Sequence, residues 1–448
     1  MTERLALAVS GYRGIWGETI TEDIAREYVR AFAALIKNRG GKKIFVGRDG
    51  RGSGAVLIKV VAEELKTLGF HVTVLGIIPT PTILFLVRAK KYDGAIIITA
   101  SHNPKEYNGL KFVTDRALFT TETEVAEINT YLAEKTVGKI GDAGTIEYDE
   151  CLDDLHIQKI LDSVDVEKIR NAHLVVAHDP INSAGAKITK KLFQKLGVTA
   201  HTINGEITGE FAHRPEPLPE NLGDLGNAVR EHHAHVGFAQ DPDADRLVVV
   251  DETGTVLSEE YILVLGTLYV LSKEKGPVVG NTMTSRMAEV LAKNAGVPYF
   301  CAKVGEANVV EEMIKQHAVV GGEGSSGGLI YPKINMGRDS LVGIALVLSL
   351  LAEKNKPLSE IVAELPKFVS RKEKKPRTMD VTIIFEKLKN IFSDATLSTL
   401  DGVRFDFSDG AWISFRPSNT EPIVRMIGEA TTKERIDEIF EKANEVFE

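Results

Sequence analysis

KIFVGRDGRGSGAVLIKVVAEELKTLGFHVTVLGIIPTPTILFLVRAKKYDGAIIITA, residues 43–100, decides the fold. Lys43–Val46 and Ala95–Ala100 are short apolar runs rich in β-branched residues, the pattern of strands buried on both faces. Between them, Ala55–Leu68 carries apolar residues at helical spacing and stops at Gly69, His71–Leu75 predicts a further strand, and Ile83–Ala89 a second helix. Short strands alternating with longer helices build a parallel or mixed sheet with helices on its faces. The rhythm recurs with strands at Leu174–Ala177, Thr199–Ile203 and Val236–Ala239 around helices at Gly185–Leu196 and Leu225–His232. It recurs again with strands at Val278–Val279, Tyr299–Ala302 and Val319–Val320 around helices at Arg286–Ala295 and Asn308–Gln316.

The end of the chain reads differently. SRKEKKPR, Ser370–Arg377, is basic and poor in apolar residues and reads as a linker. Beyond it, a strand at Thr378–Ile384, a helix, strands at Val403–Phe407 and Trp412–Phe415 joined by the hairpin signal Asp409-Gly410, a strand at Val424–Gly428 and a closing helix predict a small α+β domain. The expected fold class is α/β, with three similar mixed-sheet domains at 1–155, 156–255 and 256–368 and a small α+β domain at 369–448. Length alone, at about 150 residues per domain, suggests three.

Composition bounds the function. The chain has 448 residues, 43% hydrophobic and 26% charged, which excludes wholesale disorder. The formal net charge of −9 argues against nucleic acid or an anionic membrane as the main partner, yet leaves room for a local cationic cleft that takes a small anion. Cys151 and Cys301 have no metal-ligand spacing, as for inert thiols in a reducing compartment. MTERLALAVSGYRG, with Glu3 and an apolar run of only Leu5–Val9, predicts no signal peptide, and Tyr261–Leu271 and Leu341–Ala352 are too short to span a bilayer. A cytoplasmic protein, monomer or homodimer, is expected.

Four polar loops follow strand-like runs. In Thr99-Ala-Ser-His-Asn-Pro104, Ser101 sits where open α/β sheets bind ligands, and Lys111 in Tyr107-Asn-Gly-Leu-Lys-Phe112 is placed to stabilise an anion or to act as acid or base. An isolated Ser would be read as a helix cap; His102, Asn103 and Pro104 argue for more. Asp241-Pro-Asp-Ala-Asp-Arg246 puts three carboxylates at alternate positions between apolar strands, a set of hard oxygen ligands suited to Mg²⁺, with Arg246 as a fork for phosphate or carboxylate. Gly321-Gly-Glu-Gly-Ser-Ser-Gly-Gly328 lets backbone approach a ligand, with Glu323, Ser325 and Ser326 able to bond sugar hydroxyls. Arg416-Pro-Ser-Asn-Thr-Glu-Pro422 and Arg425 make an anion cradle from Arg416, Ser418, Asn419 and Thr420, or else a polar strand connection. The four loops fall one per domain, which suggests a shared cleft.

These motifs, in this order along essentially the whole chain, resemble the α-D-phosphohexomutases, which include phosphomannomutase/phosphoglucomutase and phosphoglucosamine mutase. TASHNP with YNGLK is similar to the phosphoserine loop, DPDADR to the metal loop, GEGSSGG to the sugar loop and RPSNTEP to the phosphate loop. Tyr12-Arg-Gly14, VGRDGRGSG (Val46–Gly54), Pro79-Thr-Pro-Thr82, RPEPLPENL (Arg214–Leu222) and Lys303-Val-Gly305 add to the likeness.

The resemblance implies three related α/β domains and a fourth like TATA-binding protein around a central cleft. It implies reversible phosphoryl transfer between O1 and O6 of a hexose, from phosphorylated Ser101 through a hexose 1,6-bisphosphate. Mg²⁺ would lie on Asp241, Asp243, Asp245 and the phosphoserine, with Arg246, Lys111 and Arg13 beside the transferring group. Glu323 and Ser325 would hold the 3- and 4-hydroxyls, and Arg416, Ser418, Asn419 and Thr420 the other phosphate.

The sequence departs from the family pattern in four places. Pro242 and Ala244 stand where Gly is common, and the sugar loop lacks its usual His and is one residue longer. That leaves Ser325 and Ser326 as alternatives for the sugar, and Lys111 and His102 as alternatives for proton transfer. Glu306 stands where some relatives carry His. Asn419 resembles the phosphomannomutase/phosphoglucomutase branch, whereas DPDADR with GRDSLVGIAL (Gly337–Leu346) is similar to glucosamine-phosphate sequences, so a glucosamine-specific mutase is the alternative. A phosphatase using the same serine and metal, and a silent sugar-phosphate binder, are the competing classes.

Overall fold

Among the described residues, three of the four sheets repeat one construction, in which a buried parallel strand runs into a polar loop and returns as an antiparallel neighbour. The computed structural model describes residues 7–9, 11–135, 142–417 and 422–447. The first sheet has six strands in the order Tyr12–Ile15, Tyr107–Thr114, Gly94–Ile98, Lys43–Arg48, His71–Ile77 and Thr145–Tyr148. Its last four strands are mutually parallel, and Tyr107–Thr114 runs against both neighbours, with Ile98 opposite Leu110.

The second sheet, Leu247–Asp251, Val236–Gln240, Val175–Asp179 and Thr199–Thr202, pairs Gln240 with Leu247 across its one antiparallel edge. The third, Tyr299–Ala302, Val278–Asn281, Val320–Glu323 and Gly328–Ile330, pairs Glu323 with Gly328 in the same way. The loops that carry Ser101, the three aspartates and Glu323 therefore occupy one topological position in three sheets, at the carboxyl end of a buried parallel strand, where open α/β sheets bind ligands. The sequence pattern predicted this α/β alternation, and the mixed sheets bear it out.

One apolar core runs without interruption through the second and third sheets. It is threaded by the helix Ser340–Lys354, whose residues Ser340–Leu351 are all buried. A helix apolar on every side belongs in a core shared by two layers, and among the described residues no helix is long and apolar enough to cross a membrane. The first sheet has its own cores on its two faces, around Phe32 and Phe112 and around Phe45 and Phe85.

The C-terminal part is a five-stranded antiparallel sheet, Val369–Pro376, Ile423–Ala430, Trp412–Pro417, Val403–Asp406 and Thr396–Ser398, packed on helices Val381–Ile391 and Lys433–Asn444. Two expectations fail here. Ser370–Arg377 is not a linker: Val369–Pro376 is an edge strand paired along its whole length with Ile423–Ala430. Its inward positions are filled by charged residues, and Arg371 bonds Asp437 at 2.8 Å while its guanidinium lies 4.9 Å from the Phe440 ring. Long charged stems can cover apolar surface, and charge on an edge blocks unwanted pairing, so the strand needs no hydrophobic signature. Nor is Thr378–Ile384 a strand, since helix starts at Val381, where the Asp380 side chain accepts from Thr382 N at 2.8 Å. The Asp409-Gly410 hairpin does form, with Gly410 at φ +89°.

This small sheet docks on the third through buried polar groups. Glu429 accepts from Ser285 Oγ at 2.6 Å, from Trp412 Nε1 at 3.2 Å and from Arg286 N at 3.2 Å. Arg404 Nη1 donates to Thr282 O at 2.7 Å, and its guanidinium stacks 4.0 Å from the Trp412 ring. Glu260 lies behind them and accepts from Ser285 N at 3.0 Å. Burial drives the Glu260 carboxyl up to about 8, with the Ser285 N–H opposing the rise and the charge of Glu429 adding to it. A carboxyl raised in the folded state keeps its proton after the unfolded chain has lost it, so its contribution to stability fades as pH climbs from about 4.5 to 8. Glu260→Gln keeps an acceptor and cannot ionise. Thermal melts are expected to show it equal to wild type near pH 5 and higher by about 2 °C or more near pH 9; a variant that melts below wild type at pH 9 contradicts this account.

Candidate active site

The loop Thr99–Pro104 leaves strand Gly94–Ile98 with Ser101 at φ +50°, a left-handed conformation uncommon outside glycine. Buried groups hold it there. Thr99 Oγ1 accepts from Ser101 N at 2.8 Å and donates to Asp49 Oδ2 at 2.6 Å. Arg51, wholly buried, is ion-paired to Asp49 and donates to the carbonyl oxygens of Ser101, at 2.7 Å, and of Asn103. Asp49 and Arg51 come from VGRDGRGSG, quoted above only for likeness; their work is to hold the serine.

Ser101 Oγ donates to Asp241 Oδ2 at 2.8 Å, which joins the first loop to the second. Asp241, Asp243 and Asp245 are all buried, with ligand oxygens within 4.8 Å of one another. The first sheet's domain supplies their counterparts. Lys111 Nζ lies 2.6 Å from Asp243 Oδ2 and 3.5 Å from Asp245 Oδ2, and Thr80 donates to Asp243 through its hydroxyl at 2.6 Å and through its backbone N at 2.9 Å. Burial pushes Asp243 upward, but Lys111 outweighs it and holds the carboxyl below its ordinary value. Asp241 is raised well above the ordinary range by burial and then by Asp245 and Asp243. Ala244, where glycine is common, adopts φ +53°, so the loop keeps a glycine-like turn despite its side chain.

Four buried polar atoms bear on what the site can hold. Asp243 Oδ1 and Asp245 Oδ1 are buried acceptors without a hydrogen-bond partner among the described residues, and Arg13 Nε and Arg246 Nε are buried donors in the same position. Unsatisfied groups of this kind mark a ligand. Hard carboxylate oxygens with spare lone pairs suit Mg²⁺, and the cationic edge suits phosphate. Arg246 Nε is 4.0 Å from Asp241 and 3.9 Å from Asp245, and Arg13 Nη1 donates to Asn103 at 3.1 Å. His102 Nδ1 lies 3.5 Å from Ser101 Oγ. Burial first, then the charges of Arg246 and Arg13, drive the imidazole down to about 2, so His102 is neutral across the physiological range.

On the sugar loop, Glu323 Oε1 accepts from Gly305 N at 2.7 Å and Asn281 Nδ2 at 3.0 Å. Ser326 Oγ donates to Glu323 O at 3.2 Å, and Ser325 is half-buried beside it. Arg416 is ion-paired to Asp401 at 3.2 Å, whose Oδ2 accepts from Val304 N at 2.9 Å, and Arg416 stands opposite Arg425 across two strands. Ser418, Asn419 and Thr420 lie outside the described residues. Sequence reading missed Arg338, whose guanidinium lies 2.7 Å from Asp245, 2.9 Å from Glu306 and 3.4 Å from Glu323. Its only signal was an Arg in GRDSLVGIAL, beyond the sugar loop Gly321–Gly328 and 93 residues from Asp245.

All four domains of one family match this chain: the phosphoglucomutase/phosphomannomutase α/β/α domain I over residues 4–138, domain II over 154–254, domain III over 258–368 and the C-terminal domain over 368–446. The chain belongs to the phosphoglucomutase/phosphomannomutase family. It is 33% identical over 439 residues to a phosphoglucomutase/phosphomannomutase of Thermococcus kodakarensis, covering 96% of each chain. It is 32% identical over 434 residues to a phosphoglucosamine/phosphogalactosamine mutase of Sulfurisphaera tokodaii, covering 94% of each. A phosphoglucomutase/phosphomannomutase family protein from Burkholderia thailandensis superposes with a TM-score of 0.87 at 27% identity, over 98% of this chain and 97% of that one. The chain is thus a phosphohexomutase, an isomerase-class phosphotransferase.

Arg51 gives this phosphohexomutase a test of how its serine is held. Arg51→Met leaves Asp49 charged and buried, a cost on the order of 3–5 kcal/mol. The melting temperature is expected to fall by several degrees, and turnover at saturating substrate to fall more steeply than substrate affinity. Unchanged turnover in a variant that melts lower would show the pair to be structural only.

Proposed function

We propose that this enzyme moves a phosphoryl group reversibly between O1 and O6 of a hexose phosphate, of mannose, glucose or glucosamine, with phosphorylated Ser101 as donor and a hexose 1,6-bisphosphate as intermediate. The hydrogen bond from Ser101 Oγ to Asp241, at the edge of three buried carboxylates, carries the reading. Asp241, Asp243 and Asp245 would hold Mg²⁺, which supplies charge neutralisation on the transferring group when bound.

In the first half-reaction the sugar hydroxyl attacks the phosphorus of phospho-Ser101, the bond to Ser101 Oγ breaks, the hydroxyl's proton passes to Ser101 Oγ, and the bisphosphate forms. After the sugar reorients, Ser101 Oγ takes back the other phosphoryl group. Arg246 and Arg13, each with a buried Nε that has no hydrogen-bond partner among the described residues, would face the charge that develops, and Lys111 and Arg338 are further cations beside the aspartates. Neutral His102 is a poor acid, which favours Lys111 over His102 for proton transfer. Glu323 with Ser325 or Ser326 would hold sugar hydroxyls, and Arg416, Ser418, Asn419, Thr420 and Arg425 the phosphate that stays, which supplies the orientation on which transfer depends. Two free thiols accord with a cytoplasmic enzyme.

Phosphorus NMR of the protein with glucose 1,6-bisphosphate, Mg²⁺ and each hexose phosphate tests this. Interconversion of the 1- and 6-phosphates is expected, abolished by Ser101→Ala with substrate binding retained, and shifted to higher Mg²⁺ by Asp243→Asn. Steady release of inorganic phosphate would make the protein a phosphatase, and near-normal activity of Ser101→Ala would sink the mechanism.

A further inference from the structure

Arg338 is launched from a rigid base. The next residue, Asp339, donates its N–H to Leu329 O at 2.9 Å and caps helix Ser340–Lys354 by accepting from Leu341 N at 3.1 Å and Val342 N at 3.2 Å. Its other oxygen lies 3.0 Å from buried His156 and accepts from Asn335 at 3.2 Å. The Arg338 stem passes over Gly328, where a Cβ would stand 2.3 Å from Arg338 Cδ, so only glycine leaves the path open. Glu306 fixes the guanidinium from one side, accepting from Arg338 Nε at 2.9 Å and from its backbone N at 3.2 Å.

The remaining donors reach two different loops. Nη2 donates to Asp245 Oδ2 at 2.7 Å, while Nη1 donates to Ser326 Oγ at 3.3 Å and lies 3.4 Å from Glu323 Oε2. One planar fork thus holds the third carboxylate of the metal loop and both polar side chains at the base of the sugar loop. A lysine has the charge but not three nitrogens in one plane.

We propose that Arg338, oriented by Glu306, is a positioning residue that couples divalent-cation binding at Asp245 to sugar-phosphate binding at Glu323 and Ser326. This rests on the functional reading above. A cation that shares the Asp245 carboxylate draws negative charge from Arg338 Nη2, and the guanidinium then bears more strongly on Glu323 and Ser326. By linkage, a sugar phosphate that engages Glu323 and Ser326 must change the affinity of Asp245 for the cation by the same factor.

The test uses Mn²⁺ as probe, its binding read from the electron paramagnetic resonance of the free ion. Wild type, R338K, R338M and E306Q are titrated with and without saturating glucose 1-phosphate, and in a parallel series glucosamine 1-phosphate. For wild type, sugar phosphate is expected to tighten Mn²⁺ binding about tenfold. R338K and R338M should bind Mn²⁺ alone yet lose the enhancement, and E306Q should lose most of it. If R338M fails to fold, R338K and E306Q carry the comparison. Full enhancement in the folded Arg338 variants, or none in wild type, overturns the proposal. Interconversion of the hexose phosphates, followed on the same wild-type preparation, separates the two readings. Turnover without coupling refutes the coupling alone; coupling without turnover of any sugar upholds it and refutes the mutase.

Discussion

Three carboxylates that repel one another are buried at one point of this molecule, and much of the architecture exists to make that tolerable. Asp241, Asp243 and Asp245 come from a single short loop, whose own Arg246 and amides offset them only in part, and the other offsetting groups come from elsewhere. Lys111, Thr80 and Ser101 reach in from the first sheet's domain, and Arg338 from the third. Each charge is held by a partner on another domain, so no domain can complete the cluster alone. Burial and the neighbouring Asp245 and Asp243 raise the Asp241 carboxyl, the direction that crowding of buried carboxylates dictates.

The same requirement explains where strain is found. Ser101 and Ala244 both adopt left-handed backbone conformations that a side chain disfavours, and they sit on the two loops that meet at the Ser101–Asp241 bond. Rigid neighbours hold each of them. Arg51 and Asp49 lock the first loop from below, and Ser183 ties the Asp49–Arg51 turn to the metal loop by accepting from Gly50 N at 2.8 Å and donating to Pro242 O at 2.6 Å. Phosphoryl transfer gains most from groups fixed before the reaction, so strain stored in a stiff frame is physically reasonable here.

Local pattern made much of the fold legible. Buried parallel strands are short apolar runs and their helices are amphipathic, and both follow from which faces are covered. The four polar loops stood out because three aspartates or a serine-histidine pair after such a run make poor core. The edge strand Val369–Pro376 was illegible because its inward face is charged, with Arg371 lying over the Phe440 ring. Thr378–Ile384 misled because a short β-branched run fits a strand as well as a helix, and the cap at Asp380 decided between them.

Local sequence was enough for the α/β alternation of the first three domains, the family, and the residue types that can hold a cation and a phosphate, because these depend on neighbours within one segment of chain. Only the tertiary structure decided that Lys111 opposes Asp243, that Arg338 spans the metal and sugar loops, and that His102 is kept neutral among arginines. Charge pairing and desolvation act through space over a few ångströms. Lys111 and Asp243 lie 132 residues apart and Arg338 and Asp245 93, separations that local pattern does not bridge and packing does.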